Sequence, residues 1–365
     1  MREIDAAVCR AFGEPLTIER VRLADPGPGE VLVRLKACAI CHSDILFAEG
    51  AWGGDLPAVY GHEAAGIVEA VGDGVERLRP GDHAVVTLIR SCGHCHYCGQ
   101  GRHTACETEF PLDRETPLHG GAAGEEALIH GLRTGGFAEY VTVDASQAVV
   151  IPDDVPLDSA SLLACGVITG YGAVTNTARL RPGETTAVIG CGGVGLNTVQ
   201  GAALSGASAV IALDTVEEKR AAALRFGAGA AIDAAAKDAV EQVRALTGGR
   251  GVDYAFVTVG VKPAIDQAMR LIGKTGAVVL VGMPPSGVFA EIDPGTLAAY
   301  SQRILGSKMG EARVAVDIPA LVAQYRAGRL KLDELISNRY PLARINEAIA
   351  EVRAGRVLRN VIVFD

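Results

Sequence analysis

The fold is decided by TAVIGCGGVG, residues 186–195, in which an apolar run leads directly into a glycine-rich turn. The residues that follow, LNTVQGAA (196–203), have the composition of a helix, and a second apolar run, 209–213, ends at Asp214. Strand, turn, helix and strand in this order are typical of a dinucleotide-binding unit. Cys165 lies 25 residues before Gly190, so the stretch predicts a hydride carrier held beside a metal.

The glycine turn fits the spacing G-x-G-x-x-G with Gly190, Gly192 and Gly195. The first glycine permits the tight turn, the second lets the backbone approach a pyrophosphate, and the third lets the helix pack on the strand. In a chain with 45 glycines a chance match is the alternative, but the flanking strands and helix favour a nucleotide site. An acid at Asp214 accepts the ribose hydroxyls and repels a 2′-phosphate, which predicts NAD rather than NADP. Lys219 is expected against the same ribose.

The composition limits the classes of partner. With 365 residues the chain exceeds what one hydrophobic core serves, so two domains are expected. The net charge of −9 and the lack of a Lys/Arg block argue against nucleic acid and against a membrane surface. The acidic start, MREID, is unlike a signal peptide, and no apolar run approaches a bilayer span. We therefore expect a cytoplasmic protein with small-molecule ligands.

Four of the nine cysteines fall in CGHCHYC (92–98) and at Cys106, which gives the spacing C-x2-C-x2-C-x7-C. Four thiolates in one short segment can close a tetrahedral shell around structural zinc. An iron–sulfur cluster needs similar ligands, and a zinc ribbon that contacts nucleic acid is disfavoured by the acidic charge. We predict structural zinc held by four residues, namely Cys92, Cys95, Cys98 and Cys106.

A second set of metal-binding side chains is dispersed: Cys41 in AICHSD, His62 in GHE and Cys165 in ACG. Two thiolates and one imidazole leave a fourth position open for water or substrate, as in catalytic zinc sites. On residue types alone, buried core cysteines remain the alternative.

The rest of the chain is organised around these sites. Residues 4–37 and 61–86 contain short apolar segments broken by Pro and Gly, which predicts a β-rich region. Residues 107–134, centred on Gly120–Gly124, lack periodicity and are expected to form a loop that covers a cleft or contacts a partner subunit. From about 185 to 285 strands alternate with helices, which predicts a doubly wound parallel sheet. A helix at Ile318–Tyr325 and a strand at Val361–Phe364 complete the pattern.

Taken together, these motifs resemble the zinc-dependent alcohol dehydrogenases of the medium-chain dehydrogenase/reductase family from about Ala6 to Phe364. The matching pieces include CHSD (41–44), GHE (61–63), PGDHA (80–84), GFAEY (136–140) and CGVITGYG (165–172). The resemblance implies a GroES-like catalytic domain, residues 1–166 and 308–365 with the zinc lobe at 91–107, and a Rossmann NAD-binding domain, residues 167–307. It also implies a homodimer through the cofactor-domain sheet, with a homotetramer as the alternative.

The resemblance assigns roles to individual residues. It implies that Cys41, His62 and Cys165 hold catalytic zinc, with Glu63 and Asp44 around them and Ser43 accepting the alcohol proton. It adds two further sets: cofactor contacts at His42, Thr169, Gly193, Val194, Val281, Met283 and Arg359, and a substrate pocket lined by Trp52, Leu88, Leu132 and Met283. Many relatives continue the proton path with a histidine five positions after the first zinc cysteine, but this chain has Leu46 there.

The resulting expectation is reversible hydride transfer between a primary aliphatic or aromatic alcohol and NAD, with two zinc ions per subunit. Four alternatives stay open. The cofactor could remain bound, as in a nicotinoprotein, or the substrate could be S-(hydroxymethyl)glutathione. A polyol dehydrogenase of the same family is disfavoured by the cysteine lobe and Cys165, and a zinc-stabilised NAD-binding sensor or scaffold is disfavoured by the open metal position.

Overall fold

A computed structural model describes residues 1–121 and 126–365. The predicted centre of the irregular segment, Gly120–Gly124, therefore lies mostly outside the described residues. The chain divides into two compact units, the first formed by Met1–Cys165 with Arg313–Asp365 and the second by Gly166–Ala312.

The first unit is rich in short strands, as the Pro- and Gly-punctuated sequence predicts. Apart from short 3-10 turns, its amino-terminal part contains eleven strands and three short α-helices among the described residues: β1 Arg2–Cys9, β2 Thr17–Leu23, β3 Glu30–Ala39, α1 His42–Ala48, β4 Ala58–Val59, β5 Glu63–Val71, β6 His83–Thr87, α2 Pro111–Arg114, β7 Leu118–Gly120, β8 Glu126–Ala127, β9 Ile129–His130, β10 Tyr140–Asp144, β11 Ala148–Val150 and α3 Leu157–Ser161.

The second unit alternates helices and strands. Its elements are α4 Gly166–Gly172, β12 Thr185–Ile189, α5 Gly193–Leu204, β13 Ala209–Asp214, α6 Glu217–Arg225, β14 Ala230–Asp233, α7 Ala239–Leu246, β15 Val252–Val257, α8 Lys262–Leu271, β16 Ile272–Leu280, α9 Pro294–Ala299 and β17 Arg303–Gly306. The chain then returns to the first unit with α10 Val314–Arg326, β18 Ile336–Pro341, α11 Ile345–Arg353 and β19 Arg359–Val363.

Two sheets of described strands build the first unit, in the orders β8-β7-β2-β1-β4-β9 and β11-β6-β5-β3-β19-β18, with β10 pairing β3. The central strand β3 is almost entirely buried because β5, β10 and β19 all pair with it. Apolar side chains of both sheets form one core that includes Ile4, Leu35 and Phe137. The core therefore fixes the ends of β3, β5 and β19, where several of the predicted site residues lie.

The sheet of the second unit has the order β14-β13-β12-β15-β16-β17, and every pairing in it is parallel. Counted within the unit this is 3-2-1-4-5-6, the doubly wound order of dinucleotide-binding folds. Strands β12, β13 and β15 are nearly continuous apolar runs because a parallel sheet is covered on both faces. The predicted doubly wound parallel sheet of a Rossmann domain is confirmed.

The segment 107–134 contains α2, β7, β8 and β9 rather than a structureless loop. Their pairings are only two residue pairs long, and those of β7 with β2 and of β9 with β4 join distant parts of the chain, which explains why no local periodicity signals them.

The second unit ends at Ala312, a few residues later than the predicted boundary of 307. Three consecutive residues, Met309, Gly310 and Glu311, have positive φ, and the backbone of Gly310 packs tightly on that of α4. Because of this contact, residues 309–311 belong to the second unit.

Within the described residues no single helix is long and apolar enough to cross a membrane; only the consecutive pair Leu157–Ala164 and Gly166–Ala178, taken together across a bend, has the required length and composition.

Candidate active site

Four buried side chains of the first unit converge at one point. The ligand atoms of Cys41, His62, Glu63 and Cys165 all lie within 4.8 Å of one another, and each residue is almost inaccessible to solvent. The three dispersed residues that residue types alone could not connect are thus brought together, and Glu63 joins them.

Asp44 holds two of these residues in place. Cys41 is the N-cap of α1, and its N–H donates to Oδ2 of Asp44 at 3.0 Å. The other carboxylate oxygen accepts from the N–H of Gly61 at 3.0 Å and lies 2.8 Å from Nδ1 of His62. One buried carboxylate therefore fixes the helix that carries Cys41 and directs Nε2 of His62 towards the cluster.

The backbone conformation directly before His62 requires a glycine. Gly61 has φ +94°, and a Cβ there would lie 2.5 Å from the backbone nitrogen of Phe137, so only glycine fits. Strand β5 starts directly after His62, while α3 and the turn Leu162–Ala164 pack against β5. Because of this packing, Cys165 lies in the cluster although it is distant in sequence from the other members.

Burial and close contact shift the pKa values of the groups in the cluster in opposite directions. A hydrogen bond between the two thiols lowers the pKa of Cys41 well below its usual range and raises that of Cys165. Burial raises the pKa of Glu63 to about 7, although Arg359 opposes the shift. Burial disfavours a charged His62, but the carboxylate of Asp44 outweighs it and raises the imidazole pKa. Two thiols and two carboxylates in one buried space favour a cation.

Zinc fits these residues. Nε2 of His62 is fully buried, and no group among the described residues meets hydrogen-bond geometry with it, although buried polar atoms are rarely left without a partner. Two soft sulfur ligands and one imidazole nitrogen are the donor set that zinc prefers. Cys41, His62 and Cys165 would hold the ion, and Glu63 lies close enough to be a further ligand.

Arg359 lies at the start of β19, where its guanidinium forms an ion pair with Glu63. Both side chains are buried. Ala39 of β3 pairs with Glu63 on one side and with Val361 on the other, which explains how two residues so distant in sequence meet. The predicted contact of Arg359 with the cofactor stays a prediction.

Ser43 lies on the first turn of α1 with its hydroxyl 3.6 Å from Sγ of Cys41. It is therefore next to the metal site, as its predicted role in proton transfer requires. His42 on the same turn is exposed, and Leu46 is half-buried. A leucine side chain cannot carry a proton, so Leu46 cannot take the part that histidine has at this position in the predicted proton path of many relatives.

The four-cysteine lobe also forms a cluster, with all four sulfurs within 4.8 Å of one another. Backbone N–H groups point at the sulfurs: Cys95 donates to Cys92 at 3.2 Å, and Cys92 donates to Cys106 at 3.4 Å. A hydrogen bond from Thr108 lowers the pKa of Cys92 to about 5. The lobe fits a structural zinc ion with no open position.

In the second unit, Gly190, Gly192 and Gly195 of the loop each have a distinct structural role. Gly190 has φ +92°, and a Cβ at Gly195 would lie 1.7 Å from the carbonyl oxygen of Gly190, so strand and helix touch there. A Cβ at Gly192 would meet nothing within 4 Å, which leaves room for a ligand. The loop opens helix α5 at Gly193, whose amino-terminal N–H groups suit a pyrophosphate.

Asp214 ends β13 and is bound to this loop. Its carboxylate accepts from the N–H of Cys191 at 2.7 Å and from the N–H of Val216 at 2.9 Å. The guanidinium of Arg220 donates to the Asp214 carbonyl oxygen at 2.9 Å. Lys219 is half-buried beside it. The acid is thus positioned next to the loop and is also a structural acceptor, which sequence reasoning did not foresee.

The remaining predicted residues divide between the units. Thr169 is buried in α4 and donates to Sδ of Met309 at 3.6 Å. Val281 is buried and Met283 is 62% exposed, both in the second unit. Trp52 packs edge-on against Phe47 with ring centroids 5.2 Å apart. With Leu88 and Leu132, which are half-buried, Trp52 belongs to the first unit.

Sequence reasoning missed a buried polar network around Arg90 in the first unit. Arg90 is 2% exposed and its guanidinium bonds to Gln147, Asp113 and the carbonyl oxygen of Arg133. The only sequence signal was an arginine directly after an apolar strand, in LIRSC, which also fits a surface charge at a strand end.

Comparisons with known proteins agree with this geometry. Residues 27–153 match the alcohol dehydrogenase GroES-like domain, and residues 193–324 match the zinc-binding dehydrogenase family. The NDMA-dependent alcohol dehydrogenase of Amycolatopsis methanolica is 38% identical over 98% of each chain.

Two solved structures share the fold over the whole chain. An alcohol dehydrogenase zinc-binding domain protein from Burkholderia ambifaria is 37% identical, with a TM-score of 0.95 over 100% of this chain and 99% of that chain. The benzyl alcohol dehydrogenase of Acinetobacter calcoaceticus is 31% identical, with a TM-score of 0.92 over 100% of both chains.

A GroES-like domain with a Cys-His-Cys cluster and a Rossmann domain with a glycine loop define an alcohol oxidoreductase. The chain belongs to the zinc-dependent alcohol dehydrogenases of the medium-chain dehydrogenase/reductase family.

Proposed function

We propose that the protein oxidises primary aliphatic or aromatic alcohols to aldehydes with NAD, reversibly, at the Cys41, His62 and Cys165 site. The observation that carries this proposal is the buried cluster of two thiols and an imidazole whose Nε2 has no partner among the described residues. Zinc supplies a Lewis acid that makes a hydroxyl more acidic, and NAD accepts the hydride.

The chain's own residues bind, orient and move a proton. Asp44 fixes Cys41, Gly61 and His62 through one hydrogen bond each, so the metal ligands are in place before substrate arrives. Ser43, 3.6 Å from the sulfur of Cys41, receives the proton of the alcohol hydroxyl. Arg359 neutralises Glu63, which limits the negative charge beside the developing carbonyl group.

NAD is proposed as the carrier because Asp214 presents a carboxylate next to the glycine loop. A 2′-phosphate would bring two negative charges against this acid, while free ribose hydroxyls can donate to it. The nearby Arg220 is the residue that would favour NADP, so the preference depends on which of the two side chains meets the ribose.

The side chains that the family resemblance assigns to the substrate pocket support an alcohol without a charged headgroup. Trp52, Leu88 and Leu132 offer no charge to hold a carboxylate or phosphate, and a hydrophobic site gains affinity with each buried methylene. The benzyl alcohol dehydrogenase among the similar structures is consistent with an aromatic substrate.

A second candidate is favoured by one observation: the relative at 38% identity is named an NDMA-dependent alcohol dehydrogenase. In this alternative the nicotinamide cofactor stays bound and is reoxidised in place by a second substrate. Purified, dialysed protein would then absorb at the reduced-nicotinamide band after alcohol is added, whereas a dissociating cofactor leaves no such absorbance.

We also propose a homodimer through the second unit. Strand β17 is the last of its sheet among the described residues, and in the segment before it Phe289, Ile292 and Tyr300 are exposed at 82%, 45% and 44%. An unpaired edge beside exposed apolar residues is a site for strand pairing with a second copy. Light scattering after size-exclusion chromatography decides between a dimer, a tetramer and a monomer.

The function is tested by a panel of alcohols and aldehydes with NAD and with NADP, followed at the reduced-nicotinamide absorbance. We expect primary alcohols to be oxidised with NAD and ethanol to be a weaker substrate than longer or aromatic alcohols. A chain that binds zinc and NAD but oxidises nothing in the panel would instead support a sensor or scaffold.

A further inference from the structure

Arg90 is an arginine buried inside the first unit, with a side chain 0% exposed. Its Nε donates to Oε1 of Gln147 at 2.7 Å, Nη1 donates to Oδ1 of Asp113 at 3.0 Å, and Nη2 donates to the carbonyl oxygen of Arg133 at 3.3 Å. Burial lowers its pKa, although Asp113 opposes the shift. A buried guanidinium is costly unless its donors are satisfied, so the three acceptors determine its position.

Gln147 extends this network in two directions. Its Nε2 donates to the carbonyl oxygen of Thr87 at 2.8 Å and to that of Arg133 at 2.9 Å. The carbonyl of Arg133 thus accepts from both Arg90 and Gln147. Together the two side chains tie the end of strand β6 to the segment around Arg133.

That segment is a strained turn. Leu132 has φ +51° and Arg133 has φ +58°, in the left-handed region that side chains with a Cβ avoid. Two consecutive residues of this kind persist only where surrounding contacts over-determine the conformation. The two hydrogen bonds to the Arg133 carbonyl oxygen, and the ion pair of its guanidinium with Asp113 at 3.1 Å, are the contacts that hold Arg133 itself, and Thr134 Oγ1 donates to the carbonyl oxygen of Leu132 at 3.2 Å.

The end of β6 and the turn around Arg133 both lie next to His62. In the pairing of β5 with β6, Thr87 is opposite Glu63, so Leu88 follows at the level of His62. On the other side, the N–H of Gly136 donates to the carbonyl oxygen of Gly61 at 2.7 Å. The strained turn therefore runs beside the residues that lead into His62.

We propose that Arg90 is a positioning residue for substrate selection, which with Gln147 holds Leu88 and Leu132 as two walls of the alcohol site on either side of His62. The proposal rests on the proposed function, since it deepens the account of the same site. Leu88 and Leu132 then recognise the alkyl chain of the alcohol. Their placement depends on a polar clamp, which consists of Arg90, Gln147 and Asp113.

The test compares kinetic constants for ethanol and 1-hexanol in wild type and in Arg90→Met. Correct placement of an apolar wall is worth about tenfold or more per buried methylene or its equivalent. We expect KM for 1-hexanol to rise about tenfold while kcat and the constants for ethanol stay within about threefold. A merely structural role would lower activity towards both alcohols in proportion, and an unchanged ratio overturns the proposal.

Arg114→Met is the matched control. Arg114 lies next to Asp113 but is 70% exposed and pairs only with Glu109 among the described residues, so its loss should leave the ratio unchanged. Gln147→Glu is the second variant, for the case that Arg90→Met does not fold. It keeps the acceptor for Arg90 but removes both donations to the carbonyl oxygens, and the 1-hexanol KM should rise in the same direction.

A readout without catalysis separates this proposal from the proposed function. Trypsin cleaves after Arg133 only when the turn opens, so Arg90→Met should release the fragment that begins at Thr134 about tenfold faster than wild type does. Equal rates overturn the clamp even if the enzyme is active. Faster cleavage in a protein whose wild type oxidises no alcohol supports the clamp and refutes the proposed function.

Discussion

The Asp214→Ala substitution tests how the cofactor is selected. Asp214 is 9% exposed, and its two carboxylate oxygens accept from the N–H groups of Cys191 and Val216. The substitution removes a negative charge from the expected ribose site and also leaves the buried N–H of Cys191 without its acceptor. Both stability and cofactor preference should therefore change.

The magnitudes follow from these hydrogen bonds. Leaving one buried N–H unpaired costs about 1–3 kcal/mol, so the variant should lose about that much free energy of unfolding. A hydrogen bond to a charged group is worth about 1.5–3 kcal/mol, and about 1.4 kcal/mol changes affinity tenfold. The ratio of kcat/KM with NAD to kcat/KM with NADP should fall by at least about tenfold.

The assay is the initial rate of reduced-nicotinamide formation with each cofactor at a fixed primary alcohol concentration. Asp253→Ala is the matched control, because Asp253 also accepts from a backbone N–H, that of Thr185 at 2.8 Å, but at the opposite ends of the strands. It should lose stability without a change in the cofactor ratio. Adding Arg220→Ala to Asp214→Ala should reverse the gain with NADP.

An unchanged ratio in Asp214→Ala, in protein that still binds NAD, would refute the assignment of the ribose contact. A ratio that changes equally in Asp253→Ala would show that loss of stability, rather than loss of charge at the ribose, causes the effect.

Two further predictions concern single side chains of the first unit. Ser43→Ala should lower kcat by about 100-fold or more, the usual contribution of a positioned proton acceptor, with zinc content and NAD binding retained; near-normal turnover would reject the role of Ser43. Burial and the nearby Arg90 lower the pKa of His130 to about 4, so the folded protein keeps it neutral while the unfolded chain is protonated below about 6.5. The free energy of unfolding should therefore fall by up to about 3 kcal/mol as the pH drops from 6.5 to 4. Urea denaturation at several pH values measures this fall in wild type and in His130→Gln. A fall in the variant as large as that in wild type would contradict the prediction.

The features that the sequence predicts are those with local signals. Gly190 and Gly195 have the conformational reasons that their spacing predicts, a positive φ and a close contact between strand and helix, because strand, turn and helix are consecutive. Likewise the four lobe cysteines lie within fifteen residues, so their spacing alone implies convergence. In the dispersed set, by contrast, Cys165 meets Cys41 only through the packing of α3 on β5, and only the family resemblance could connect them.

The features that sequence reasoning missed depend on pairings between distant residues. Glu63 meets Arg359 because β3 pairs with both of their strands, and Arg90 reaches Gln147, 57 residues away, through the pairing of β6 with β11. A buried arginine and an exposed one look alike in a sequence. For the same reason the hydrogen bonds by which Asp214 holds the glycine loop, in addition to its predicted ribose contact, could not be derived from its position alone.

The central claim is that Cys41, His62 and Cys165 hold the zinc on which alcohol oxidation depends. The most direct measurement is zinc content per chain together with alcohol-dependent NAD reduction, in wild type and in Cys165→Ser. We expect two zinc ions and turnover of primary alcohols in wild type, and one zinc ion, held by the cysteine lobe, with no turnover in the variant. Two zinc ions retained in the variant, or turnover that survives the loss of one, would contradict the account.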